Sequence, residues 1–248
     1  MGRPRGKDLG VRARPRGRPE VVLLAGALSA TLAAWNNVVV TRMPGYPGSY
    51  VAVNAAATGL VLVAARRAGL TWTEVGFARR RLGSGLRWGA GCAALMTAGY
   101  GTAVAVPALR PLLRDARIER LDGADIAYQV LVRIPVGTVL WEEVAFRGVL
   151  LAALLRLLPP IAAVAASSVL FGVWHVRPTL AALAANEVVE GPVPTALAVL
   201  LACLGTAGAG VLFSELRLRT GSLAAPVLLH LAANSLGTLA AAAAFRLG

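Results

Sequence analysis

Residues 141–150, WEEVAFRGVL, place two adjacent glutamates and an arginine inside an otherwise apolar run. An ionisable side chain at the centre of a bilayer costs on the order of 2.5–3.5 kcal/mol even on the lenient insertion scale. Glu142, Glu143 and Arg147 therefore need partners within a protein interior. Helical spacing supplies one pairing, because Glu143 and Arg147 are i,i+4 and share a face. Glu142 lies about 100° further around, with no partner on its own segment. The chain has only two histidines. His175 closes the run SSVLFGVWHV one turn after Phe171, and His230 lies in GSLAAPVLLHLAANS one turn before Asn234. Carboxylates and imidazoles converging from separate apolar segments form either a metal site or a general acid/base site.

The elements that must carry these groups are transmembrane helices. The 248-residue chain is 57% hydrophobic and 15% charged, against roughly 25% charged in soluble domains. Its mean hydropathy is +0.67. With several apolar runs of roughly 20 residues, it reads as an all-α, polytopic transmembrane helix bundle with its active site inside. The net charge of +13 is almost all arginine, Lys7 being the single lysine. These arginines lie between apolar runs and not along one amphipathic surface, which is the pattern of cytoplasmic flanking charge and excludes a nucleic-acid partner. Cys92 and Cys203 each sit in an apolar run without CxxC spacing and read as small buried hydrophobes.

Seven spans are expected, with six to eight compatible: 21–40, 50–65, 88–109, 136–158, 161–176, 194–213 and 223–245. Residues 1–19 form a basic, Gly- and Pro-rich tail expected to be disordered and cytoplasmic, and 20–248 a single transmembrane domain. Pro135 predicts a break before the fourth span, and 179–189 is too short to cross, so it reads as interfacial or re-entrant. The arginines of the tail, Arg66, Arg67, Arg79, Arg80, Arg81, Arg217 and Arg219 place the N-terminus in the cytoplasm. The loop with Arg110, Arg114, Arg117 and Arg120 is the exception, and it interleaves Asp115, Glu119, Asp122 and Asp125. Asn36, Asn37, Asn54 and Thr58 are expected to make hydrogen bonds between helices.

Three motifs occur in order, each on its own apolar segment: EEVAFR fits EExxxR, FGVWH fits FxxxH and HLAAN fits HxxxN. In this the chain resembles the CAAX protease and bacteriocin-processing family of intramembrane peptidases, which includes the type II prenyl-protein endopeptidases. RTGSLAAPVLLHLAAN further resembles the family's last motif, and LTWTEVGFARRRL at 70–82 resembles a short amphipathic segment upstream. The family-like catalytic core covers about 124–246. The resemblance implies an intramembrane endopeptidase; membrane burial of the site points to a membrane-associated or lipidated protein or peptide as substrate, and the arginine-rich sequence reads as bacterial, which makes the bacterial plasma membrane the expected location. The resemblance makes Glu142 the principal catalytic carboxylate and His175 its partner, with His230 and Asn234 completing the site and Glu143 and Arg147 supporting it.

Two mechanisms suit these residue types. In one, Glu142, His175 and His230 hold a zinc ion whose water attacks the peptide carbonyl. In the other, Glu142 and His175 activate water directly while His230 and Asn234 donate to the tetrahedral oxyanion. Asn234 favours the second, since an amide is a good donor and a rare zinc ligand. Zinc is the one cofactor the residues suggest. The alternative reading is a non-catalytic immunity or scaffold protein that retains the fold.

Overall fold

A computed structural model describes residues 19–247, so the expected basic tail lies, apart from Pro19, outside the described residues. The described chain is helical throughout: α1 (Pro19–Arg42), α2 (Tyr50–Arg67), α3 (Trp72–Val75), α4 (Arg79–Ala105), α5 (123–157), α6 (Pro160–Trp174), α7 (Val176–Asn186), α8 (Pro192–Thr220) and α9 (Ala224–Arg246). Short helical turns at Pro107–Leu113 and Ala116–Glu119 link α4 to α5. Proline starts α1, α6 and α8, where its missing N–H is one that a helix start leaves unbonded anyway. Gly221, at φ 69°, ends α8 in the left-handed conformation that glycine adopts without strain.

All seven expected spans are helical, but the span count differs. Pro19–Arg42, Pro160–Asn186, Pro192–Thr220 and Ala224–Arg246 are long and apolar enough to cross a bilayer; Arg79–Ala105 adds a fifth if counted with Pro107–Leu113, bent from it by 116°. The other two fall short for physical reasons. Asn54, Arg66 and Arg67 lower the hydropathy of α2, and α5 carries Pro135, Glu142, Glu143 and Arg147. The apolar side chains of α8 are mostly exposed, its buried residues lying between Gly210 and Thr220, so the helix faces outward as in an integral membrane protein.

Two further expectations are corrected. Pro135 does not break the helix: α5 runs through it, its turns widened to π geometry over Gln129–Leu140. The wider turn accommodates the ring and re-pairs the backbone around the missing N–H. Residues 179–189 are no separate interfacial piece, since 179–186 belong to α7, which follows α6 after a break at His175.

Small residues let the helices meet closely. A Cβ on Gly85 would lie 2.6 Å from the Ser222 hydroxyl and one on Gly89 2.8 Å from Leu228 Cβ, which fixes α4 against α9. A Cβ on Gly172 would lie 2.6 Å from the Cys203 carbonyl oxygen, which fixes α6 against α8. Asn54, fully buried, accepts from Trp35 Nε1 at 2.9 Å and donates to the Gly137 carbonyl at 2.7 Å, tying α1, α2 and α5 together as expected of it.

The segment around α3 acts as a clip on the other end of α5. Thr71 and Glu74 cap α3 reciprocally, and Gly76, at φ 102°, turns the chain so that its carbonyl accepts from Leu223 N–H at 3.1 Å. Glu74 also pairs with Arg156 at 2.8 Å, and its backbone carbonyl accepts from Arg217 at 2.6 Å. Partial burial opposes ionisation of Glu74, but hydrogen bonds from Arg156 and Thr71 outweigh it and lower its carboxyl pKa to about 2. Val75 packs where a Cβ on Gly148 would be, 3.2 Å away, and so braces α5 immediately after Arg147.

Candidate active site

Every residue from 141 to 150 is buried, and π geometry runs over Glu143–Leu150. Such wide turns are rare and concentrate at functional sites. Glu143 is the hub. Its Oε1 accepts from Arg147 Nη1 at 3.2 Å, the pairing its i,i+4 spacing predicts, and from His230 Nδ1 at 2.8 Å. The Arg147 guanidinium, 1% exposed, lies 3.9 Å from the Phe171 ring centre, 4.9 Å from Phe213 and 5.7 Å from Phe146. Three aromatic faces thus supplement one carboxylate in stabilising a cation removed from water.

Glu142 is held differently. Its Oε1 accepts from Trp174 Nε1 at 3.0 Å. Among the described residues its Oε2 has no hydrogen-bond partner, and it lies 3.9 Å from His230 Nε2. The His230 ring stacks on Phe213, with centroids 5.2 Å apart and planes at 28°. A carboxylate only accepts, so the Glu143 contact places a proton on His230 Nδ1 and turns Nε2 toward Glu142 Oε2. The two groups face one another at a separation one hydrogen-bonded atom can bridge.

The structure therefore brings Glu142, Glu143, Arg147 and His230 together, but not His175 or Asn234. His175 follows the last residue of α6, at φ −93° and ψ 2°; its Nδ1 bonds the Phe171 carbonyl at 2.7 Å and its ring packs on Phe171 at 4.6 Å. Among the described residues no hydrogen bond joins it to Glu142, whose partner on α6 is the preceding residue, Trp174. Asn234 is half-buried in the π stretch Ala232–Leu236, where its carbonyl accepts from Thr238 at 3.0 Å. The expected zinc ligands, Glu142, His175 and His230, do not converge: no three His, Cys, Asp or Glu side chains among the described residues are grouped to hold a metal.

Trp174, Phe213 and Tyr50 join the site without a sequence signal that singles them out. Tyr50 Oη lies 3.2 Å from Thr138 Oγ1, one turn before Glu142, and Arg133 covers its ring at 4.9 Å. Trp174 stands inside FGVWH, but an indole in an apolar run reads as packing.

Comparison with known proteins adds one finding. Residues 125–236 of the 248 match the family model described as type II CAAX prenyl endopeptidase Rce1-like. The matched stretch contains all six expected site residues. No curated protein and no solved structure matches the chain.

Proposed function

We propose that this integral membrane protein, whose residues 125–236 match the family model described as type II CAAX prenyl endopeptidase Rce1-like, is an intramembrane endopeptidase. Its substrate is a membrane-associated or lipidated peptide, cut near its end with water activated by Glu142. The observation that carries the mechanism is the facing pair, Glu142 Oε2 and His230 Nε2, 3.9 Å apart in a buried site. A water donating to both at ordinary hydrogen-bond distances subtends about 90°, within its range, and turns its lone pairs away from them toward a substrate.

The reaction follows from those contacts. The water oxygen attacks the scissile carbonyl while Glu142 Oε2 takes its proton, and Trp174 keeps the carboxylate from rotating. Glu143 orients the His230 imidazole as the carboxylate of a Ser-His-Asp triad orients its histidine. As the tetrahedral intermediate forms, the Asn234 amide is the donor assigned to its oxyanion, while His175, whose Nδ1 is held by the Phe171 carbonyl, presents its other ring nitrogen to the substrate. Collapse breaks the C–N bond, and the proton on Glu142 passes to the leaving amine. The products are a new carboxylate and a free amine. Arg147, bound to Glu143 within its aromatic cage, balances one of the two buried carboxylates. No step is routed through zinc, because the expected ligand set is not assembled.

The test is hydrolysis of an internally quenched, farnesylated peptide ending in a CAAX sequence by purified protein in lipid nanodiscs, with products identified by mass spectrometry. Wild type is expected to release a C-terminal fragment and to incorporate one ¹⁸O from labelled water into the new carboxylate, and Glu142→Gln to lose this. Equal product from both proteins would refute the assignment of Glu142. Loss of activity on chelation, restored by zinc alone, would overturn the metal-free route.

A further inference from the structure

The break that sets His175 apart from α6 has an identifiable cause outside every motif. In an unbroken helix the Arg177 N–H would bond the Val173 carbonyl, spanning His175. Here both groups turn to Asn37 of α1 instead: its Nδ2 donates to the Val173 carbonyl at 2.9 Å, and its Oδ1 accepts from Arg177 N–H at 3.0 Å. The side-chain amide takes the place of a peptide unit within the ladder. Its own position is fixed by a further bond to the Ala33 carbonyl at 2.9 Å and by the π turn Trp35–Val39 around it. The next rung is missing too, since Pro178 has no N–H to offer the Trp174 carbonyl. Proline deletes one bond of the ladder; beside it Asn37 accepts the Arg177 N–H and adds a side-chain donor to the Val173 carbonyl, which also takes a backbone N–H at the end of α6, and in hydrocarbon a freed N–H must find a partner.

We propose that Asn37 is a positioning residue for His175: it wedges the α6–α7 junction open and fixes the direction from which this imidazole meets the substrate. The inference rests on the reading of His175 as a member of the active site. It requires no contact between Asn37 and substrate. With leucine at this position, the Arg177 N–H can rejoin the Val173 carbonyl, and closing the ladder rotates His175.

The chain's two histidines make a direct test practicable. In nanodiscs with ¹³C,¹⁵N-histidine, Asn37→Leu is expected to move the His175 imidazole resonance while leaving that of His230 in place. On the farnesylated CAAX peptide its kcat falls at least tenfold with KM within twofold, and Asn37→Gln, which keeps an amide, retains more activity than Asn37→Leu. An unmoved His175 resonance overturns the proposal whether or not kcat changes. Movement of both resonances together also overturns it, because the effect is then general disruption. Full activity of His175→Ala would sink the catalytic reading of His175 alone, leaving the spectra to decide whether Asn37 sets the junction.

Discussion

Replacing Trp174 by phenylalanine isolates one interaction. The change removes the Nε1–H that bonds Glu142 Oε1 at 3.0 Å but keeps an aromatic ring against Phe146, now 5.5 Å from the indole. A hydrogen bond to a charged group contributes about 1.5–3 kcal/mol, and each 1.4 kcal/mol or so is a factor of ten. If the bond holds Glu142 in its reactive rotamer, kcat should fall by roughly 10- to 100-fold. Lost packing volume is the competing explanation, and the structure provides its control. Trp141 is 2% exposed, packs on Trp174 at 6.3 Å, and among the described residues has an Nε1 without a hydrogen-bond partner. Trp141→Phe therefore removes comparable volume and no bond. Both variants should unfold at similar temperatures in detergent, with only Trp174→Phe losing turnover of the farnesylated CAAX peptide. In a Glu142→Gln background Trp174→Phe should add little. Equal activity losses in the two variants, or none in either, would refute the claim that the indole orients the carboxylate.

Arg147→Met should destabilise the protein by about 3–5 kcal/mol by leaving Glu143 buried and uncompensated, whereas the double variant Arg147→Met with Glu143→Gln should recover much of that loss; chemical unfolding of the three proteins in detergent checks both. Gly89→Val forces side-chain atoms into Leu228 across the α4–α9 contact and should prevent recovery of monodisperse protein, while Gly91→Ala, with nothing within 4 Å of the added carbon, should be tolerated; size-exclusion profiles separate them. Glu74, lowered from 4.5 to about 2, contributes stability that is fully present above pH 4.5 and lost as the pH falls through about 2. The melting-temperature difference between wild type and Glu74→Gln should thus be constant above pH 4.5 and vanish near pH 2, and a difference independent of pH would show that the Glu74 charge is not what holds the clip.

Much of the bundle is legible in the sequence because lipid imposes a strong rule: long apolar runs must be helices, and polar side chains within them must find one another. Glu143 with Arg147 follows from spacing alone, and Asn54 fulfils its role between helices. What spacing does not reveal is backbone geometry within a run. Pro135 reads as a break, yet the chain absorbs it in π turns. The clip around α3 is partly visible, since Thr71 and Glu74 have capping-box spacing, but its bonds to Arg156 and Arg217 join residues far apart in the chain.

The offset between Trp174 and His175 marks where local rules stop. The FxxxH spacing places His175 one turn beyond Phe171, and that relation survives as a ring contact and a hydrogen bond to the Phe171 carbonyl. It cannot say which side of α6 meets α5. Ser167, Phe171 and Trp174, at i, i+4 and i+7, are all buried, and this stripe carries the indole to Glu142. His175, released from the helix by Asn37 and Pro178, need not follow the stripe. One oxygen of Glu142 is consequently immobilised by a residue that looks like packing, while the other has only His230 before it. The asymmetry that makes Glu142 a candidate base, with one oxygen held and one free, is thus a product of tertiary packing around the motif, written at Asn37 and Trp174 as much as in the glutamate pair.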